Sequence, residues 1–421
     1  MRLWVKPGSS GGVARTAGIG AELPVLQAPR TDECCPFRSP PDAMSENLES
    51  SSRQVRRRSR LNSCILFLST IDDAKITIAE TLKLALAAVD ATSNAGHRGI
   101  GGRIEMAKKP YIIALEEHYQ DPEVKQLGAG PGAGPDIVER LDDLGALRIR
   151  EMDEAGIDLQ VLSHSIPGLQ AVDAEAGPPL ARRTNDRLYE AVQRHPDRFS
   201  AFAVLPTANP RAAADELERA VTKLGFKGAM VNGMTSGVFH DDKRFWSIWE
   251  RAAKLDVPIY IHPALPHAAV IEAYYKDYVQ SHPGILRAAW GFTVETATQG
   301  LRFVLSGVFD AHPGLKIILG HMGEGLPFLL WRISHGLRAT MKEKTFRDIF
   351  CEHFWITTSG FFSDTALVCS IMEMGIDRIL FSVDYPFAEN PPGTEWLKTL
   401  PLGPEDTEKL LNGNARRLLK L

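Results

Sequence analysis

Four short apolar runs in this 421-residue chain close on side-chain types that bind divalent metals. They read Leu115-Glu116-Glu117-His118, Tyr260-Ile261-His262-Pro263, Leu319-Gly320-His321 and Ser382-Val383-Asp384-Tyr385-Pro386. Side chains alternate across an extended segment, so Glu116 and His118 share one face and Glu117 takes the other. With His262 and Asp384 they make a set of two imidazoles and two carboxylates. That set suits one Zn²⁺ or Mn²⁺ ion and leaves room for water or substrate. A lone histidine at a strand end is often only a hydrogen-bonded core residue; four such residues at equivalent positions favour a metal. His321 reads as a further ligand or as a proton relay, because Glu324 three residues on is placed to orient its imidazole and raise its basicity.

The elements that must position these residues form a series. Apolar or β-branched runs recur at Tyr111–Leu115, Leu159–Ser163, Ala201–Leu205, Phe226–Asn232, Val257–Ile261, Leu315–Gly320, Phe354–Thr358 and Arg378–Val383. Segments of helical period lie between them, at 136–155, 184–195, 210–224, 243–254, 295–311, 324–342 and 364–375, and 404–420 follows the last run. Such alternation indicates parallel βαβ units, and eight of them indicate a closed α/β (β/α)8 TIM-like barrel. An open doubly wound sheet is the alternative, but no G-x-G-x-x-G turn follows the first run. Barrel active sites gather at the C-terminal ends of the strands, where these four motifs sit. The long 264–290 segment is expected to form a lid over the mouth. The fourth run ends in Val231-Asn232 without a lysine, which argues for one ion rather than a lysine-bridged pair. His164 is expected in a flexible loop, and His240, His267, His282, His312, His335 and His353 at the surface or at helix ends. No nucleophile elbow, phosphate loop or Cys–His pair is present.

Composition excludes other classes. A formal charge of −4 gives no basic groove for nucleic acid and no membrane-binding surface. No apolar run reaches the roughly 18 residues of a transmembrane helix. Five cysteines (Cys34, Cys35, Cys64, Cys351, Cys369) without zinc-type spacing fit reduced thiols and a cytoplasmic setting. Residues 1–105 differ in kind. They are rich in Gly, Ser, Pro and Arg up to Arg60, with an Arg56–Arg60 cluster, then a short apolar stretch at Cys64–Leu68 and one candidate amphipathic helix at 74–91. This segment is expected to be a disordered or non-native leader, with Met106 as a candidate start and 106–421 as the barrel domain.

The motifs ALEEH (114–118), AGIDLQVLS (155–163), VPIYIHP (257–263), SGVFDAHPGLKIILGHMGEGLP (306–327), ILFSVDYPF (379–387) and NGNARRLL (412–419) together resemble the amidohydrolase-related decarboxylases. That family includes γ-resorcylate, 2,3-dihydroxybenzoate and aminocarboxymuconate-semialdehyde decarboxylases. The resemblance implies that Glu116, His118, His262 and Asp384 bind the ion, with Asp384 also the proton donor. It implies that His321 and Glu324 form a supporting pair, and that Arg332 reaches substrate in a neighbouring subunit of a homodimer or homotetramer. Many relatives open with His-x-His; the Glu116-Glu117-His118 form leans to the γ-resorcylate-like, benzoate branch. The expected activity is nonoxidative, metal-dependent decarboxylation of a small hydroxybenzoate-type acid. The alternative is hydrolysis of a lactone or amide by metal-activated water, and a third reading is a barrel that binds a ligand without catalysis.

Overall fold

The computed structural model describes residues 109–127 and 134–421. The expected leader and the candidate helix at 74–91 lie outside them. Within the Arg103–Leu421 unit, β1 (Ile113–Tyr119), β2 (Leu159–His164), β3 (Phe199–Ala201), β4 (Ala203–Val204), β5 (Ala229–Asn232), β6 (Pro258–His262), β7 (Lys316–Leu319), β8 (Phe354–Thr357) and β9 (Ile379–Leu380) are all parallel. β3 and β4 are halves of one strand that changes partner at Phe202. The Phe202 N–H bonds Leu162 of β2 at 2.9 Å, and the Ala203 N–H bonds Gly228, just before β5, at 2.9 Å. A parallel bridge between Leu115 and Ser382 joins β1 to the chain after β9 and closes the barrel.

Two faces of every strand pack two different layers, the period-two signature of a barrel. Ile113, Leu115, Leu159, Val161, Met230, Tyr260, Ile318 and Leu380 fill the lumen, floored by Leu418 and Leu419 of the C-terminal helix Asn414–Leu419. Ala114, Leu162, Val231, Ile261, Ile317, Ile356 and Ile379 face the surrounding helices. The helical segments expected from the sequence appear with altered limits. Residues 136–155 split into Pro135–Asp142 and Ala146–Ala155, while Pro210–Leu224 keeps its expected span. The first strand begins later and runs further than its apolar run, because it stays paired with β2 as far as Tyr119 opposite His164. Helices Phe346–His353 and Asn390–Leu397 were not among the expected segments. The 264–290 segment carries short helical turns rather than open loop, at Ala268–Val270, Ile271–Tyr275 and Pro283–Leu286. Leu265, His267 and Arg287 of this segment form one wall of a cleft of about 650 Å³; Ile166, Gln170 and Asn232 line it from other strand ends. Among the described residues no helix is long and apolar enough to cross a membrane.

Candidate metal centre and active site

A defect in β1 aims the first two ligands. Ile113 and Leu115 point into the lumen, so strict alternation would send Glu117 inward and turn Glu116 and His118 away. The register prevents this: Ala114 pairs with Gln160 but Glu117 pairs with Leu162, so β1 carries one extra residue. Glu116 takes up the extra length with a left-handed φ of 61°. The phase of the strand flips there, and a bulge beside an active site re-aims side chains in this way. Glu116 and His118 therefore face the lumen, and Glu117 faces the helical layer.

The four expected ligands converge. One donor atom from each of Glu116, His118, His262 and Asp384 lies within 4.8 Å of all the others. His118 Nε2 is 3.1 Å from Asp384 Oδ1, and His262 Nε2 is 3.3 Å from Glu116 Oε1. His262 donates its Nδ1–H to the Pro263 carbonyl at 2.7 Å, and His118 Nδ1 bonds Ser163 Oγ at 3.2 Å. The Pro263 carbonyl makes Nδ1 the donor in His262 and turns its Nε2 lone pair to the centre; Ser163 can accept from His118 Nδ1 and let its Nε2 do the same when an ion binds. Glu116 Oε2 accepts from the hydroxyls of Tyr260 and Ser359, and from Thr357 Oγ1 at 3.4 Å, leaving Oε1 free. Gly320 leaves room for this carboxylate, since a Cβ there would sit 2.8 Å from Glu116 Oε2.

Whether a cation fits is decided by what these atoms lack. Glu116 Oε1, His118 Nε2 and Asp384 Oδ1 are buried without a hydrogen-bond partner. Burial pushes the Glu116 carboxyl above its ordinary range, with the Asp384 charge adding to it against His321 and His118. Burial would also raise Asp384, but the neighbouring His118 and His321 imidazoles outweigh it and hold that carboxyl low. Burial, reinforced by the neighbouring His118, keeps His262 well below its usual value and so neutral, as a ligand must be. Two carboxylates facing two imidazole nitrogens in a largely buried site favour a positive charge between them.

His321 enters from β7 on an unusual turn. His321, Met322, Gly323, Glu324 and Gly325 all have left-handed backbone, with φ of 47°, 55°, 72°, 55° and 76°. The three non-glycine residues cost about 1–2 kcal/mol each, strain of the kind held at functional sites. The turn brings His321 Nδ1 to 2.7 Å from Glu324 Oε1 and leaves Nε2 3.7 Å from both Glu116 Oε1 and Asp384 Oδ2. Burial alone would lower the His321 pKa. The charges of Glu324 and Glu116, with the Asp384 carboxylate nearby, outweigh it and hold His321 well above its ordinary value. Its place is beside the ligand group, facing the two carboxylates.

Two histidine expectations, for His164 and His240, are corrected. His164 is buried and fixed, accepting the Asp121 N–H at 3.0 Å and bonding the Ser165 carbonyl at 2.7 Å, because β2 extends through it. His240 is fully buried rather than at the surface, bonded to Thr235 Oγ1 at 2.8 Å and edge-on to Phe245. Arg332 is exposed on helix Leu326–Leu337 and, among the described residues, makes no hydrogen bond or ion pair, so one chain does not bring it to the ligands. Tyr260, Thr357 and Ser359 escaped the sequence reading, although Tyr260 lies two residues before His262 and Thr357 two before Ser359, the spacing of a shared lumen face. Glu117 was assigned only to the far face of its strand. It is buried there, accepting N–H groups of Val383 at 2.9 Å and Tyr385 at 3.3 Å.

With this geometry established, comparison with known proteins places the chain. The amidohydrolase family model matches residues 113–421. The chain belongs to the amidohydrolase family. It is 42% identical over 326 residues to a γ-resorcylate decarboxylase from Rhizobium radiobacter, covering 73% of this chain and 98% of that one. A crystal structure of 2,6-dihydroxybenzoate decarboxylase complexed with 2,6-dihydroxybenzoate shares 41% identity and a TM-score of 0.69, covering 74% of this chain and all of that one. A dihydroxybenzoic acid decarboxylase from Polaromonas sp. JS666, solved with manganese and the inhibitor 2-nitroresorcinol, shares 40% identity and a TM-score of 0.69, covering 74% and 97%.

Proposed function

We propose that this protein is a metal-dependent carboxy-lyase that removes CO₂, without oxidant, from a hydroxybenzoate-type acid, with 2,6-dihydroxybenzoate (γ-resorcylate) as the expected substrate. One observation carries the reading: Glu116 Oε1, His118 Nε2 and Asp384 Oδ1 are buried, unpaired and turned to one point. They are so placed in a chain 42% identical to a γ-resorcylate decarboxylase. Glu116, His118, His262 and Asp384 would hold the ion, for which Mn²⁺ is favoured over Zn²⁺ by the manganese in the Polaromonas relative. When bound, the ion supplies a Lewis-acidic positive charge that holds the substrate's carboxylate and phenolic oxygen.

Direct loss of CO₂ from an aryl carbon leaves an electron pair in the ring plane, outside the π system. Protonating that carbon first turns the ring into an electron sink. Asp384 is the acid in this reading: because its carboxyl is held low, it first takes a proton from His321. That proton goes to the carboxylate-bearing carbon, the C–C bond then breaks, and its electron pair restores aromaticity as CO₂ leaves. Asp384 remains as a carboxylate and must regain a proton. His321 Nε2, 3.7 Å from Asp384 Oδ2, is placed to return it, with Glu324 steadying the imidazolium from its other side.

Arg332 can meet substrate only if a second copy docks nearby. Phe328 and Trp331 flank it at 80% and 68% exposure, an apolar surface that supports the homodimer or homotetramer of this reading. Residues 106–421 are its catalytic unit, and a cytoplasmic location accords with the unpaired Cys351 and Cys369. The test is CO₂ release from a panel of hydroxybenzoic acids by Mn²⁺-loaded protein, with the metal content measured in parallel. Release from 2,6-dihydroxybenzoate without added oxidant supports decarboxylation; cleavage of lactones or esters with no CO₂ would replace it with the hydrolytic alternative. Absence of stoichiometric metal would favour the non-catalytic one. A chain starting at Met106 keeps full activity and solubility, or the assignment of the leader is wrong.

A further inference from the structure

Two adjacent glutamates leave β1 in opposite directions, and only the first has a part in the chemistry above. Glu117 is fully buried on the helical side of the strand. Its Oε1 accepts the Val383 N–H at 2.9 Å and the Ser382 hydroxyl at 3.3 Å. Its Oε2 accepts the Tyr385 N–H at 3.3 Å and the Gln160 amide at 3.4 Å. One carboxylate thus grips the backbone on both sides of Asp384. From the same strand, the His118 N–H donates to the Tyr385 carbonyl at 2.6 Å, closing the grip from β1.

The gripped residue needs restraint. Asp384 has a left-handed φ of 72°, a conformation that is uncommon for a residue with a side chain. Such a conformation persists only where its surroundings over-determine it. Glu117 is itself held: Arg148 donates to Gln160 Oε1 at 3.2 Å and to the His118 carbonyl at 2.5 Å, and its guanidinium lies 4.7 Å from the centre of the Tyr385 ring. Arg148 and Gln160 are both buried.

We propose that Glu117 is a positioning residue: by binding the N–H groups of Val383 and Tyr385 it holds the left-handed turn that aims the Asp384 carboxylate at the cation and the substrate. The tandem Glu116-Glu117 is then one device. The β1 bulge sends one carboxylate to the ion and its neighbour to the turn that carries the opposing ligand. The proposal rests on the metal-site part of the function proposed above and not on the substrate, so Mn²⁺ binding alone tests it.

The test is E117Q, titrated with Mn²⁺ by electron paramagnetic resonance and assayed for turnover. The amide keeps the size and one acceptor but sets an NH₂ against a backbone N–H. Expected are a native circular dichroism spectrum, an altered bound-Mn²⁺ line shape, and Mn²⁺ affinity and kcat each down about 10- to 100-fold, the range for outer-shell partners of a metal site. KM should stay within a factor of about two, and E117Q/D384N should bind Mn²⁺ like D384N alone, because both changes act through one ligand. A general loss of stability would not alter the line shape or produce that non-additivity. If E117Q does not fold, Q160M, which removes only the amide tethering Glu117, is read instead, with smaller changes in the same direction. Wild-type affinity and line shape in either folded variant, or additive losses with D384N, overturn the proposal. A wild-type protein that binds no Mn²⁺ would instead defeat the metal-site reading.

Discussion

Removing one hydroxyl at Tyr260 separates what the ion needs from what the fold needs. Tyr260 is fully buried in the lumen, its ring packed near Phe202 and its hydroxyl shared between Glu116 Oε2 and Thr357 Oγ1, the latter at 2.8 Å. Y260F keeps the ring and deletes the donor. Without metal, burial favours a neutral Glu116, and the lost bond is then worth about 1 kcal/mol. With metal bound, Glu116 is a carboxylate and a hydrogen bond to it is worth roughly 1.5–3 kcal/mol. The difference, roughly 0.5–2 kcal/mol, should appear as metal affinity weakened about 2- to 30-fold. Ser359 still donates to the same oxygen, which favours the lower end. Calorimetric titration of the metal-free protein with Mn²⁺ measures it directly. Y260F/S359A should weaken binding further than either single change. Unchanged Mn²⁺ affinity in Y260F, with a fall in kcat alone, would show that the hydroxyl serves the substrate and that this account of Glu116 is wrong.

Other outcomes follow from the same geometry. D384N should retain a bound ion but lose turnover by at least about a hundredfold, the size of a general-acid contribution; a near-wild-type rate measured by CO₂ release would remove Asp384 as proton donor. Mn²⁺ at about one hundred times its Kd should stabilise the protein by about 2.7 kcal/mol, read as a rise in denaturation midpoint that E116Q abolishes. His240 has its pKa lowered to about 3 by burial, so between the ordinary value near 6.5 and 3 the unfolded chain binds a proton that the native state refuses. Its contribution is therefore present above about pH 6.5 and is lost as pH falls. Urea unfolding of H240Q at pH 6.5 and pH 5 should show about 2 kcal/mol less acid sensitivity than wild type, and equal sensitivity would contradict the buried, neutral imidazole. Phe354 stacks on Phe350 at 4.4 Å between centroids; F354A should cost about 3–5 kcal/mol in chemical denaturation while leaving Mn²⁺ affinity unchanged.

Much of this molecule was readable before any coordinates. Strands that bury both faces against apolar layers must be apolar runs, so their number, order and C-terminal residues are written locally, and Glu116, His118, His262 and Asp384 stand out as polar ends on apolar strands. Which way those ends point is not local. Alternation correctly pairs Glu116 with His118, yet counted from lumen-facing Ile113 and Leu115 it would turn both outward. The extra residue in β1 reverses that, and it exists only relative to the register of β2. The left-handed turn from His321 to Gly325 was equally hidden, since two glycines permit such a path but only its neighbours impose it on His321, Met322 and Glu324. His240 looked like a surface residue because burial depends on what other elements bring alongside it. Residue types and their periods determined which groups could bind a metal; long-range register and packing decided which of them face one another, because side-chain direction depends on how each strand is paired.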